Sequence, residues 1–158
     1  MIYVLDTSFV VQLHKNYYRE NFVTMWKLFD DMLAAGAFTS TREVFRELSE
    51  SDDAAAKWAE ANNKLFVTPN AAEGAFVAGI YAIPHFQANM ERQKLLKGGK
   101  NADPFIIARA AAVKGTVLTM EQLKPHAAKI PNICDHFKVG CYDLRRHGGR
   151  EVEVLASV

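Results

Sequence analysis

Residues 1–8 read Met1-Ile2-Tyr3-Val4-Leu5-Asp6-Thr7-Ser8. Five residues of apolar character form a short β run, and the run stops on a carboxylate followed by two hydroxyls. A strand buried on both faces is a near-continuous hydrophobic stretch, so an acid at its end lies where a central strand surfaces. Three further acids stand in comparable apolar frames: Glu47, Asp103 and Glu121. Together the four read as a carboxylate cluster able to hold a metal ion.

Outward from that strand, β-type and helix-type segments alternate. Thr7 is placed to cap a short helix to Leu13, and a polar connection from His14 to Arg19 leads to an amphipathic helix over about 21–35, stopped by Gly36. Residues 37–40 read as a second strand, with Ser40 or Thr41 capping a helix that carries Val44, Phe45 and Leu48 at helical spacing. A helix over about 52–62, a weaker strand at 64–67 closed by Pro69, and helical segments at 71–81 and 84–96 follow. Gly98 to Asn101 reads as a loop, and Ala102 or Asp103 opens a helix to Val113 with Pro104 in its first turn, where the missing N–H costs nothing. Gly115 ends it. Residues 116–119 form a further strand, and 139–144 another after a loop at Pro131. The stretch from His147 onward is a last strand over 151–155 or a partner-binding tail. Strands separated by helices imply right-handed crossovers and a parallel sheet covered on both faces, a three-layer α/β/α domain spanning 1–158.

Composition sets the outer bounds. The chain has 158 residues and 49% hydrophobic content, enough to bury a core as one domain without disulfides. Lys and Arg total 19 against 18 Asp and Glu, a net charge of +1, so a polyanion has to be held by a local patch rather than a global field. Cys134 and Cys141 are too few for a zinc site or a disulfide framework, and each reads as a small buried residue. The N-terminal run carries no positive leader, and no apolar stretch approaches the roughly 20 residues of a membrane span. The expectation is a cytoplasmic protein without a membrane partner.

In open sheets of this kind ligands bind at the carboxyl ends of the strands, which is where Asp6 and Glu121 fall. Glu47 and Asp103 come from helices that can point to the same edge. Crowded carboxylates repel, and a multivalent cation relieves that repulsion. Oxygen donors select a hard ion, Mg²⁺ or Mn²⁺, which needs only one or two carboxylates and keeps several waters. Such an ion lowers the pKa of water toward neutrality and stabilises a leaving oxygen, the requirements of phosphodiester hydrolysis. Thr7, Ser8 and Thr119 are placed to orient the carboxylates. Each acid taken alone has a plainer reading: Asp6 as a helix cap, Asp103 as a complement to its helix dipole, Glu47 as part of a solvated face, Glu121 as another cap. Their joint order and context favour the metal site.

Four stretches carry a family resemblance: Tyr3 to Ser8 (YVLDTS), Arg42 to Leu48 (REVFREL), Asn101 to Ala110 (NADPFIIARA) and Thr116 to Glu121 (TVLTME). In order and spacing, over nearly the whole chain, they resemble the four acidic signatures of PIN-domain ribonucleases. Within that family, ADPFIIARA together with KIPNICDHFKVGC (129–141) is similar to an uncharacterised prokaryotic PIN-like subgroup. The resemblance implies a Rossmann-like sheet, Mg²⁺- or Mn²⁺-dependent cleavage of single-stranded RNA, and service as the toxin of a toxin–antitoxin pair, with the antitoxin a separate protein. It makes Asp6, Glu47, Asp103 and Glu121 the catalytic, metal-binding acids. The chain departs at Glu121, one methylene longer than the usual Asp. Glu43 lies one helical turn from Glu47 and competes with it; the Glu-Leu pair of the family selects Glu47. Asn101 and Asp135 are further candidates for a second ion.

Other features extend the expectation. Arg92, Lys94, Lys97 and Lys100 form a basic stretch before Asp103 suited to an RNA backbone, or to a solvated helix end. The five histidines show no metal-ligand spacing. Phe9, Tyr17 and Phe86 are base-stacking or core residues, and Trp26 and Trp58 read as core. Apolar helix surface over 21–35 and 71–96 suits a homodimer. Two functional classes remain: a metal-dependent ribonuclease, and a binding or scaffold module of the same fold with weakened catalysis, for which Glu121 is the hint. A phosphodiesterase acting on another nucleic acid would use the same acids.

Overall fold

The computed structural model describes residues 1–91 and 101–144. Its strands are β1 (Tyr3–Leu5), β2 (Phe38–Thr41), β3 (Phe66–Val67), β4 (Thr116–Thr119) and β5 (Gly140–Asp143). They form one sheet in the order β3-β2-β1-β4-β5, and every pairing is parallel. The helices are α1 (Thr7–Asn16), α2 (Val23–Ala34), α3 (Arg42–Leu48), α4 (Ala54–Ala61), α5 (Ala71–Tyr81), a helical segment at 87–91 (α6), α7 (Asp103–Val113) and α8 (Ile130–Phe137). Since the chain steps from β1 to β2 to β3 in one direction and from β4 to β5 in the other, right-handed crossovers send its helices to opposite faces. α1, α3 and α4 pack together on one side; α7 lies across β1, β2 and β4 on the other, with α5 and α8 beside it. The fold is the expected three-layer α/β/α arrangement.

Its centre is β1. Tyr3, Val4 and Leu5 are all buried, because both sheet faces are covered there, and the strand is paired on both edges, Val4 facing Thr39 on one side and Val117 on the other. Ser40, wholly buried in β2, donates its hydroxyl to the Leu5 carbonyl at 2.7 Å, so the carboxyl ends of β1 and β2 are tied by a side chain. On the outer side of β2, Phe29 stacks on Phe38 with ring centroids 4.7 Å apart, and Trp26 and Trp58 are buried as expected.

Local chemistry explains most element ends. Gly36 takes φ +74 after α2, with Ala37 N–H donating to the Met32 carbonyl at 3.0 Å, a left-handed stop that favours glycine. Asn70 and Glu73 form a reciprocal capping box at the start of α5. Several boundaries differ from expectation. Asp6, not Thr7, occupies the N-cap of α1, and the helix extends to Asn16. Residues 63–65 form a 3-10 turn, which shortens β3. Pro131 lies in the first turn of α8 rather than in a loop, since Pro is tolerated where no intrahelical N–H bond is required. Pro84–Phe86 is a 3-10 turn ahead of 87–91, and the rest of the helix expected to 96 lies outside the described residues, as does the C-terminal stretch from His147. The left-handed residue that ends α7 is Lys114, at φ 52, and not Gly115.

Gly115 is required for a different reason. A Cβ there would stand 2.6 Å from the Ile2 carbonyl oxygen and 3.1 Å from the Val113 side chain, while the next residue, Thr116, donates its N–H to that same carbonyl at 2.9 Å. The close approach sets the entrance of β4 against β1. Gly115→Ala is therefore expected to destabilise the fold by about 1–3 kcal/mol, the usual range for overpacking, read as a lower urea midpoint; an unchanged midpoint would show that the β1–β4 entrance yields.

His14, in the last turn of α1, sits between Trp26 and Trp58 at 5.1 and 5.6 Å ring separation and bonds through Nδ1 to the Val10 carbonyl at 2.8 Å. Burial is the main cause of a pKa below the ordinary 6.5, opposed by the Val10 bond. The neutral ring is thus the folded form, and its contribution is full above pH 6.5 and lost as pH falls through the lowered value. Urea midpoints are expected to drop between about pH 7 and pH 5 in the wild type and to drop less in His14→Phe; equal slopes would remove His14 from the account.

Candidate functional site

The order of the strands reverses at β1, whose onward connection goes to β2 while that of β4 goes to β5, so the crevice between the carboxyl ends of β1 and β4 is the switch point at which ligands bind in such sheets. Asp6 leaves β1 there, 4% exposed, with its N–H on the Leu118 carbonyl at 3.1 Å. Its carboxylate makes no cap bond to α1. Instead Oδ2 accepts two hydroxyl hydrogens, from Ser8 at 2.5 Å and from buried Thr119 at 2.7 Å. Asp6 thus stands at the N-cap position of α1 without a side-chain cap bond.

Two neighbouring elements bring acids to the same edge. Glu47, half-buried on α3, accepts the Ala102 N–H at 3.3 Å and the Thr7 hydroxyl at 3.5 Å. Those two contacts link it to the residues flanking Asp103 and Asp6. Asp103, 2% exposed in the first turn of α7, receives Asn89 Nδ2 at 2.8 Å on Oδ2. The Cys134 thiol is pushed well above the ordinary thiol range, first by its hydrogen bond with Cys141, then by burial, and further by the charges of Asp6 and Asp103. Cys134 is thus a buried neutral group.

The remaining candidates divide. Glu121 donates its N–H to Thr119 Oγ1 at 3.1 Å and accepts the Ile130 N–H on Oε2 at 2.9 Å, so one oxygen of its carboxylate closes the start of α8. Glu43 is held by Arg42 and Arg46 at 3.3 Å. Asp135 is exposed on α8, more than a turn beyond the end that Glu121 closes. Asn101 uses both ends of its amide: Oδ1 accepts the Asp103 N–H at 3.2 Å, and Nδ2 donates to Tyr81 Oη and Asn89 Oδ1, each at 2.8 Å. Burial, then the charge of Asp103, pushes the Tyr81 hydroxyl up to about 12, against the bond from Asn101. Arg92, Lys94, Lys97 and Lys100 lie outside the described residues. Phe9 and Phe86 are buried in the core.

Three participants have no counterpart in the sequence reading. Asn89, 1% exposed, anchors Asp103 from 14 positions upstream, and Tyr81 completes its network; an Asn and a Tyr on apolar helical stretches carry no distinguishing pattern. Asp143 ends β5 in register with Thr119, which places a further acid at the same strand edge. Its signal is the one that marks Asp6, a short apolar run stopping on Asp, hidden because the strand pattern reads on to Leu144.

Among the described residues no three His, Cys, Asp or Glu side chains gather closely enough to enclose an ion by themselves. Mg²⁺ does not need that enclosure, since one or two carboxylates with waters suffice. The donors at the edge are oxygens only, and the buried Thr41 hydroxyl at the end of β2 has no hydrogen-bond partner among the described residues. That donor chemistry fits a hydrated hard cation held by Asp6 and Asp103, with Glu47 acting directly or through water.

A parallel α/β domain with carboxylates and hydroxyls at its switch point is the class of protein that fold and site define. The chain belongs to the family described as Domain of unknown function (DUF4411), whose model matches residues 3–147. No curated protein and no solved structure matches it. Among the described residues no helix is long and apolar enough to cross a membrane.

The environments of the two glutamates of α3 generate a direct comparison. Glu43→Gln is expected to alter stability by no more than about 1 kcal/mol, as for partly exposed ion pairs, and to leave Mn²⁺ affinity unchanged. Glu47→Gln should weaken Mn²⁺ binding by about 10–100-fold in calorimetric titration. The reverse ranking would move the assignment to Glu43.

Proposed function

We propose that this chain is a metal-dependent nuclease that hydrolyses single-stranded RNA at the carboxyl edge of β1 and β4. The observation that carries the reading is the convergence of acids from three separated elements, Asp6 after β1, Glu47 on α3 and Asp103 on α7, bridged by the Thr7 hydroxyl and the Ala102 N–H. The resemblance to PIN-domain ribonucleases supports the choice of RNA, and with it the proposal of an antitoxin as partner.

Asp6 and Asp103 would hold Mg²⁺ or Mn²⁺, which when bound supplies Lewis-acid activation of water and neutralisation of phosphate charge. The protein groups supply position. Ser8 and Thr119 both donate to Asp6 Oδ2 and so fix the orientation of its carboxylate. Asn89 plays the same part for Asp103, holding Oδ2. Fixing the carboxylates in this way avoids reorganisation when charge develops on the phosphate. Burial of both aspartates lowers the local dielectric and strengthens their attraction for a cation. Glu121, with one oxygen on α8, acts chiefly in holding the loop after β4.

Purified protein is expected to cleave a mixed pool of single-stranded RNA with Mn²⁺ or Mg²⁺ and not with EDTA, with single-stranded DNA run in parallel. Asp6→Asn and Asp103→Asn should lower the rate by about 10²-fold or more, since activation by a bound ion is worth several kcal/mol, and should keep the native circular dichroism spectrum. Absence of metal-dependent cleavage together with absence of divalent-ion binding in calorimetry would overturn the nuclease reading and leave a binding module.

A further inference from the structure

Beside the Asp6 cluster a cleft of about 230 Å³ opens between α1 and the loop that follows β4, lined by Ser8, Gln12, Glu121, Gln122, Lys124 and Lys129 among others. Ser8 is shared by both sites, since its hydroxyl is the one bound to Asp6 Oδ2. The cleft therefore adjoins the Asp6 carboxylate through Ser8. Its rim is rich in N–H donors. Lys124 and Lys129 contribute two ammonium groups, and among the described residues neither has a hydrogen-bond or ion-pair partner for its side chain. Gln12 has its Oε1 taken by Asn16 at 2.6 Å, so the end of its amide left to present is the NH₂.

The one acid in the lining does not cancel this character. Glu121 turns Oε2 onto the Ile130 N–H at 2.9 Å, at the positive end of α8, where its charge is partly compensated. The loop itself is braced without using either ammonium group: Met120 N–H donates to Ser8 Oγ at 3.1 Å, and Asn132 Nδ2 and the Ala127 N–H both donate to the Lys124 carbonyl, at 2.6 and 3.2 Å. Two cations are thus carried on a fixed loop next to buried carboxylates, in a chain whose net charge of +1 provides no broad attraction for a polyanion.

We infer that this cleft is a phosphodiester-binding site, in which Lys124 and Lys129, with the Gln12 amide, hold the backbone phosphate of a single-stranded nucleic acid next to the one that reaches Asp6. The inference rests on the nuclease reading and assigns the path by which the strand enters. Contacts of this kind read charge and spacing, not sequence, so they set affinity and its salt dependence while base preference lies elsewhere.

The test is fluorescence anisotropy of a short labelled single-stranded RNA, and separately of single-stranded DNA, in EDTA across a salt series, with cleavage kinetics in Mn²⁺ alongside. The proteins compared are the wild type, Lys124→Gln/Lys129→Gln, and Lys114→Gln/Lys138→Gln, the last pair lying before β4 and β5 at the opposite edge of the sheet. Each cleft lysine removed should lower the slope of log affinity against log salt by about 0.7, the value for single strands, and the double variant should raise KM with kcat nearly unchanged. The opposite-edge pair should match the wild type. Equal slopes in the two pairs, or a loss of kcat without a change in KM, overturns the cleft assignment while metal-dependent cleavage by the wild type still stands. A wild type that neither binds nor cleaves RNA or DNA overturns both readings, and equal effects of the lysines on RNA and DNA identify the phosphate, common to the two, as what they hold.

Discussion

The Thr119 hydroxyl bound to Asp6 Oδ2 at 2.7 Å is the contact on which the site turns, because it joins the ends of the two strands between which the sheet reverses. A carboxylate 4% exposed has to be compensated where it stands, and two hydroxyls from β4 and from the first turn of α1 do so without supplying a counter-charge. Each hydroxyl oxygen also accepts a backbone hydrogen, Thr119 Oγ1 from the Glu121 N–H and Ser8 Oγ from the Met120 N–H. The loop after β4 is thereby folded back onto the start of α1. Glu121 carries the same chain of bonds on to α8 through the Ile130 N–H.

This wiring explains why the fold is legible from a few short stretches. β1 has to be central, since Tyr3-Val4-Leu5 offers no polar face to solvent, and a central strand in an alternating chain commits the sheet to parallel crossovers. Gly36 and Pro104 act through their own backbone geometry and Asn70 with Glu73 through bonds three residues apart, so the corresponding ends of α2, α5 and α7 fall close to expectation. The departures share a cause. Pro131 and Gly115 invite the local rule that each residue most often obeys, whereas Pro131 stands where helix α8 tolerates it and Gly115 answers a tertiary contact with Ile2.

Candidate site residues are legible where an acid interrupts an apolar run and illegible where a side chain's part depends on a satisfied network. Asp6, Glu47 and Asp103 announce themselves because a carboxylate among buried neighbours is costly and therefore rare. Asn89 does not, since its role depends on the geometry that brings 87–91 against the start of α7, a relation between distant segments that no periodicity encodes. The same holds for Lys124 and Lys129. In the sequence they are ordinary loop lysines, and only the fold brings them to the same cleft as Ser8.

Acid and base are consequently segregated over a short distance: carboxylates buried in the strand edge, ammonium groups on the rim of the adjoining cleft. The separation has a physical logic. Carboxylates close to a phosphate backbone repel it, so a site that holds only acids gains a polyanion solely through a cation, whereas ammonium groups mixed among the acids would pair with them and abolish cation affinity. Here Asp6 Oδ2 is held by neutral hydroxyls, one of them from Ser8 in the cleft lining, and Glu121, the acid of that lining, has one oxygen on the start of α8. Neutral donors at the boundary would let each charge keep its own partner under the proposed reading: a cation for the aspartates, a phosphate for the lysines.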